Sequence, residues 1–372
     1  MGGEPIRDLV VFSHLRWDGV WQRPHHLVSR LANRFRRTWF AEEPVQRAED
    51  GVRLRCESAG PVTRVLVDVA TSTRWPTFGE PADLDHGALV AAACAAPSDP
   101  VVWLYSPMAL PMARQLQPSV LVYDVMDDLT SFKGAVPESR LRHSQALAEA
   151  DLVFTGGRSI HERVMEHRRR PSRTLCFPSG VEVDHFAHQP IPHPRPVAGY
   201  VGVIDERLDL GLIADLARKL PGWTIRMVGP VAKIDREMLP VAPNIEYLGQ
   251  RSYADLPAIM AGFDVALMPF ALNDATASIS PTKTLEYLAA GLPTVSTRIR
   301  DVVRDHTSVV AFADDAGGFA QLCADVRVGR WRFPAERVTA ILLAHQWDAI
   351  AASMFELIVE AGDVRRGDIV AS

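Results

Sequence analysis

The stretch SISPTKTLEYLAAGLPTVST, from Ser278 to Thr297, reads as a loop, a short helix and a buried strand in immediate succession. Ser280 is a suitable N-cap, Pro281 suits the first helical position, Gly291 supplies a left-handed stop and Pro293 prevents continuation. Leu285, Leu288 and Ala289 form an apolar stripe, while Thr282, Lys283 and Glu286 share another face near the helix start. Backbone N–H groups from Thr282 to Thr284, with the Lys283 ammonium, favour an anion there. Glu286 is of a type that accepts hydrogen bonds from two adjacent sugar hydroxyls. Phosphate beside a diol outlines a nucleotide, with Ser278, Ser280, Thr282, Lys283, Thr284 and Glu286 as candidate contacts. Taken alone, the same residues also describe an ordinary capped surface helix followed by a buried strand.

Outward from this stretch, short apolar runs alternate with helical patterns, the mark of a mostly parallel sheet covered on both faces. DLVVFS, RTWFA, VTRVLVDV, VVWLYS, VLVYDVM, LVFTGG and TLCFPSG are candidate strands in the first half. HQPIPHPRPV, from His188 to Val197, is proline-rich and aperiodic and reads as a linker. The alternation then restarts with VAGYVGV, TIRMVGP, IEYLGQ, DVALMPF, TVST and VVAF. The fold class expected is α/β, with two doubly wound Rossmann-like domains facing a central cleft. The first would span 1–190 and the second 191–345, leaving 346–372 as a C-terminal helix that packs back towards the first domain.

Length and composition agree with this. The 372 residues, 47% hydrophobic and 23% charged, suffice for two cores and exclude a disordered chain. A net charge of −5 argues against nucleic acid as a partner. Cys56, Cys94, Cys176 and Cys323 are scattered without a C-x-x-C pair, which fits a reducing cytoplasm and neither structural zinc nor a disulfide framework. No run reaches the roughly 18 apolar residues of a membrane span. Two basic stretches, Arg30 to Arg37 and His167 to Arg173, suggest peripheral association with an anionic membrane at its inner face, or simply a solvated basic surface.

In doubly wound sheets, ligands bind at the carboxyl ends of the strands. The loops there in the second half repeat one chemistry: Gly202 and Gly229 for close backbone approach, with Arg207, Lys233 and Arg251 as cations. The order of GYVG, MVG, NIEYLG, FDVALMPF and SPTKTLEYLAAGLPTVST resembles the C-terminal half of the GT-B glycosyltransferases, in particular the retaining family-four and family-one-like bacterial group. The resemblance is close over most of residues 197 to 300 and loose before them. It implies that Glu286 binds the ribose hydroxyls of a nucleotide sugar and that Thr282, Lys283 and Thr284 bind its diphosphate. Two positions depart from the family pattern. Val203 replaces a diphosphate-binding arginine, with Arg207 as the nearest substitute and Asp209 near the expected lysine. Ser278 replaces the first of two glutamates eight positions apart.

In the first half, FSHLRWDGVWQRPHHLVSRLANRF follows a strand and leads into a helix. Trp17 and Trp21 offer flat faces for a sugar ring or simply pack the domain, Gly19 allows close approach, and Gln22 and Arg23 suit hydroxyls or phosphate. His14, His25 and His26 lack the spacing of a zinc site. YDVMDDLTSF brings Asp124 and Asp127 to a strand end; Asp128 reads as a solvated cap. By the resemblance, a residue of this loop faces the reacting carbon, and Asp124, Asp127 and Arg207 are the catalytic candidates. No metal or other cofactor is expected.

What the resemblance implies is transfer of a sugar from a nucleoside diphosphate to a cell-envelope or exopolysaccharide acceptor, a glycan or lipid-linked molecule, with retention. The leaving phosphate would help deprotonate the acceptor on the same face. The alternatives are a GT-B epimerase or phosphorylase and a non-catalytic nucleotide- or glycan-binding homologue. An NAD-dependent dehydrogenase is disfavoured by the absence of G-x-G-x-x-G after a strand.

Overall fold

In the computed structural model, the residues described are 7–47, 51–72, 78, 86–94, 97, 99–129, 137–168 and 173–370. The chain divides into two compact units. One takes the chain up to Gly156, residues 160–177 and the stretch from Asp348 onward; the other takes 157–159 and 178–347.

The first unit is built on strands β1 (Asp8–Ser13), β2 (Arg37–Glu42), β3 (Val45–Arg47), β4 (Val52–Ala59), β5 (Val62–Ala70), β6 (Val101–Leu104), β7 (Val120–Val125), β8 (Leu152–Thr155) and β9 (Thr174–Cys176). β1 lies between β2 and β6 in parallel register, and β6, β7, β8 and β9 continue the sheet. Every residue of β1, β6, β7 and β8 is buried, which is why these strands read as unbroken apolar runs. On the other side β5 receives β2 and, farther along, β3, and pairs antiparallel with β4. β3 and β4 escape an apolar-run reading because their residues alternate between charge and partial burial. Arg47 of β3 and Arg55 of β4 both reach Asp68 of β5, at 3.1 and 2.8 Å.

The second unit holds β10 (Val197–Val201), β11 (Thr224–Val228), β12 (Ile245–Gly249), β13 (Val265–Met268), β14 (Thr294–Ser296) and β15 (Ala311–Phe312). All six are parallel, in the order β12-β11-β10-β13-β14-β15. Counted from its first strand this is 3-2-1-4-5-6, the dinucleotide-fold order, and its switch point lies between β10 and β13.

The domain boundary expected near 190 lies instead between Phe177 and Pro178. The proline-rich stretch belongs to the second unit: Ile191 N–H donates to Ala261 O at 2.7 Å, and His193 packs against Gly262. Proline removes donors and blocks helix, but the remaining N–H groups still find partners. The helix Trp347–Val370 begins at the other crossing, and in the first unit its Phe355 ring meets Phe35 edge-on with centroids 5.6 Å apart.

Candidate functional site

β10, β11 and β12 end in glycines with positive φ: Gly202 (148°), Gly229 (145°) and Gly249 (68°). Gly202 N–H donates to Val228 O and Gly229 N–H to Gly249 O, so the strand ends form a continuous backbone floor. A Cβ on Gly229 would stand 1.9 Å from Gly202 O, and one on Gly202 would stand 2.0 Å from Lys283 Cε. Side chains are therefore excluded from the floor, and the Lys283 stem occupies the space above Gly202. Its ammonium lies 5.7 Å from the centroid of the Tyr200 ring, a cation–π distance.

Lys283 opens the helix Lys283–Ala289, two residues later than the proline at 281 suggests. Thr284 N–H donates to Pro281 O at 3.2 Å, a tight turn that precedes the helix proper, and Thr282 O accepts from both Leu285 and Glu286. Ser280 is therefore not the cap; its carbonyl accepts from Ser179 Oγ at 3.3 Å. Gly291, with φ of 70°, does end the helix. Tyr287 ties the helix to the sheet, its hydroxyl oxygen accepting from Val201 N–H at 2.8 Å.

Glu286 is half-buried on this helix. Burial pushes its carboxyl above the ordinary range, and the Glu182 carboxylate acts in the same direction; the Lys283 ammonium and a hydrogen bond from Thr282 oppose them. Glu182, which the sequence reading missed, accepts from Tyr253 Oη at 2.7 Å. Thr284 is a correction: it is 1% exposed and its hydroxyl faces Met268 Sδ, so its side chain is unavailable to a ligand. Helical spacing gives adjacency but does not say which face a sheet will cover. Arg207 is a second correction. Its guanidinium is clamped by Asp205, two residues away, at 2.7 to 3.1 Å, so the loop supplies an internal ion pair where an open cation was expected. Asp209 caps the helix Leu210–Lys219 through Leu212 N–H. Arg251 is exposed.

The candidate residues of the first unit come together differently from expectation. Arg23 and Asp124 meet, but as an interior ion pair: Arg23 Nε donates to both Asp124 oxygens at 3.2 and 2.9 Å, and Nη1 donates to Phe177 O at 2.7 Å. Burial raises the Asp124 carboxyl pKa, and Arg23 opposes the shift. Asp124 is fully buried, so it is not presented as a catalytic carboxylate, nor Arg23 as an exposed phosphate ligand. Asp127 is half-buried beside it in sequence. Asp128, expected as a solvated cap, pairs with Arg163 at 2.7 Å and lines a cavity of about 370 Å³ with Arg140 and His143.

Trp17 and Trp21 are half-buried and pack edge-on at 5.9 Å, with Trp17 also against Phe40 and Trp21 stacked on His25. His25 accepts from Gln22 N–H at 3.0 Å and faces Arg16 O at 3.0 Å, which fixes the turn before the helix Arg23–Leu31; burial lowers its pKa. His26 Nδ1 accepts from Trp21 Nε1 at 3.1 Å. Gln22 is half-buried and Gly19 exposed, with Gly19 N–H closing the turn on Arg16 O. Among the described residues no group of three His, Cys, Asp or Glu could hold one metal ion.

The basic stretch Arg30 to Arg37 is largely spent internally, Arg30 on Asp348 and both Arg36 and Arg37 on Asp8. Of the second basic stretch, residues 169–172 lie outside the described residues. Among the described residues, no helix is long and apolar enough to cross a membrane.

Comparison with known proteins adds three findings. A family model described as glycosyl transferases group 1 matches residues 195–326. The putative teichuronic acid biosynthesis glycosyltransferase TuaH of Bacillus subtilis is 32% identical over 106 residues, which span 28% of this chain and only 27% of that protein. Among solved structures, sucrose-phosphate synthase of Thermosynechococcus elongatus superposes with a TM-score of 0.67 at 15% identity, over 98% of this chain and all of the other. HepE of Anabaena, solved in complex with UDP and glucose, gives 0.62 at 14% identity over 98% of this chain and 100% of its own. The chain therefore has the GT-B fold of these solved structures, and residues 195–326, within its second unit, match the glycosyl transferases group 1 model.

Proposed function

We propose that the chain transfers a sugar from a nucleoside diphosphate to a glycan or lipid-linked acceptor of envelope or exopolysaccharide synthesis, with retention of configuration. The observation that carries this reading is the grouping of Glu286, Lys283 and the glycine floor at the switch point of a 3-2-1-4-5-6 sheet. Glu286 would accept from the ribose diol, and the Lys283 ammonium would neutralise the diphosphate lying on Gly202 and Gly229. A fixed cation in that place makes a metal unnecessary for the leaving group. The leaving phosphate would take the acceptor proton on the face it departs from, so no side-chain nucleophile is called for. The relationship to a putative teichuronic acid glycosyltransferase favours an envelope polymer, and solved neighbours with bound UDP make uridine diphosphate the first nucleotide to try.

The test is calorimetry with UDP, GDP and ADP against the parent and Glu286→Gln. One nucleotide should bind, and the substitution should cost about 1.5–3 kcal/mol, the worth of a charged hydrogen-bond acceptor. Binding unchanged in Glu286→Gln, or absent throughout in the parent, overturns the reading.

A further inference from the structure

The cavity of about 370 Å³ beside Asp128 lies wholly in the first unit, between the helices Pro137–Glu149 and Arg158–His167, and the reaction proposed above makes no use of it. Its volume falls within the range of about 300–1,000 Å³ usual for small-molecule sites. Val125 and Asp128 reach it from the end of β7, and its other lining residues come from the two helices. Helical walls set it apart from the strand-end loops where a doubly wound sheet takes its substrate.

The two helices are fixed to one another. Arg168, 5% exposed, donates through Nη1 to Leu147 O, through Nη2 to Ala150 O at 2.8 Å and through Nε to Thr174 Oγ1 at 3.1 Å. One buried guanidinium thus closes the last carbonyls of the first helix against the chain leaving the second, and the cavity between them is pre-formed.

Its floor is apolar and its rim is charged in balance. Val125, Leu147, Ile160 and Val164 are buried beneath it, while Arg140, Ser144, Arg163 and Glu166 are exposed around it. Arg140 and Arg163 are matched in number by Asp128 and Glu166, so there is no surplus of these cations to select a phosphate. Arg163 Nη1 donates to Asp128 Oδ2 at 2.7 Å, and a guanidinium joined to a carboxylate sets donors and acceptors side by side. Two adjacent hydroxyls, each able to donate and to accept, complement such a pair. His143 adds one more polar atom: its Nδ1 lies 2.8 Å from the Tyr123 hydroxyl, which leaves Nε2 for a ligand. Burial and the nearby His167 lower the His143 pKa against the pull of Asp128, so the ring is uncharged near neutral pH. Among the described residues that line the cavity there is no Trp, Tyr or Phe to stack a nucleobase, and a lipid chain would strip water from the charges of the rim. What fits is a ligand with hydroxyls at its edge, C–H groups on its face and no charge.

We propose that this cavity is a binding site for a neutral saccharide, a second carbohydrate site carried by the first unit alone. The Arg163–Asp128 pair and His143 Nε2 hydrogen-bond its hydroxyls, and the floor takes its C–H face. The site does not depend on the nucleotide-sugar reading, because none of its residues belongs to the second unit. It holds a short stretch of glycan without taking part in transfer.

Saturation-transfer NMR and calorimetry on the whole chain test this. Glucose, galactose, N-acetylglucosamine, maltose and cellobiose are the neutral probes, and glucuronate and glucose 6-phosphate the charged ones. At least one neutral sugar should bind, more tightly than either charged sugar, and UDP should not displace it. Ser144→Leu, which fills the cavity from an exposed helical position, and Arg163→Gln, which breaks the pair with Asp128, should each weaken that binding about fivefold or more and leave the melting temperature within about 2 °C of the parent. No binding of any neutral sugar, a preference for a charged one, displacement by UDP, or binding that survives both variants each overturn the proposal. None of these outcomes bears on the nucleotide site, which Glu286→Gln tests separately.

Discussion

Arg23→Ala should unfold the first unit far more readily than a surface substitution, and by an amount that depends on pH. The Arg23 side chain is 3% exposed and that of Asp124 is not exposed at all, with Nε 2.9 Å from the nearer carboxylate oxygen. Removing the guanidinium leaves a buried carboxylate without its counter-charge and takes the Nη1 donor away from Phe177 O. Breaking a buried pair in this way costs about 3–5 kcal/mol, against a total stability of roughly 5–15 kcal/mol. At about 2–4 °C per kcal/mol for a unit of this size, the melting temperature should fall by roughly 10 °C.

The pH dependence follows from Asp124. Its folded pKa is raised above the ordinary 3.8 by burial, so the folded state holds the proton more tightly than the unfolded state does. Between those two values stability falls as pH rises. Without Arg23, which opposes the shift, the folded pKa moves up further and the window widens. The penalty of Arg23→Ala should therefore be largest at neutral and alkaline pH and shrink on acidification towards the ordinary carboxylate range. Thermal unfolding of parent and variant from about pH 5 to 8 measures this. A melting temperature within about 2 °C of the parent at pH 7.5, together with lost sugar transfer, would show that Arg23 serves a ligand and that the ion-pair account is wrong.

Two further outcomes are expected. His306 has its pKa lowered to about 4 by burial and by His345, so the second unit should lose stability as pH falls from the ordinary 6.5 towards 4; His306→Gln should flatten that limb of the melting curve, and an unchanged profile would reject the assignment. Gly202→Ala and Gly229→Ala both carry the strain of a positive φ but should differ in degree: the first meets the movable end of Lys283 at 2.0 Å and the Tyr200 hydroxyl at 2.9 Å and should weaken nucleotide binding as well as stability, whereas the second meets backbone at 1.9 Å and should lower the melting temperature more. The same stability loss in both would contradict that distinction.

The strands that proved easiest to read are those buried on both faces, because burial on both sides leaves no polar residue to interrupt the run. β7 is such a strand, and so is β13. β4 was illegible for the converse reason, being a strand of alternating arginine, glutamate and serine whose partner β5 carries the matching charges. The helix that carries Glu286 was legible because a proline, a glycine and a period of 3.6 bracket it within a few residues. Its surroundings were only partly so. Nothing local announces that Arg23 meets Asp124, since 101 residues separate them and only the sheet brings β7 beside the first helix. The Arg207–Asp205 clamp was nearer to hand, because an aspartate two positions before an arginine in a tight loop is a ready partner.

The same contrast accounts for which part of a ligand this site announces. At the ends of β10 and β11 the floor is bare backbone, and the sequence records it as glycines that no other residue can replace without meeting Gly202 O or Lys283. A diphosphate needs just that, N–H groups, close approach and one cation, so under the proposed function the nucleotide half of the ligand would be written in residue types at fixed places. A floor with no side chains cannot distinguish one sugar from another. Discrimination has to come from side chains carried over it by the neighbouring loops, the one after β10 and the one before the Glu286 helix. Polar side chains there are not diagnostic in a sequence, because they line many loops. Which of them are taken up by internal partners, as Arg207 is by Asp205, becomes visible only when the loops are folded against one another.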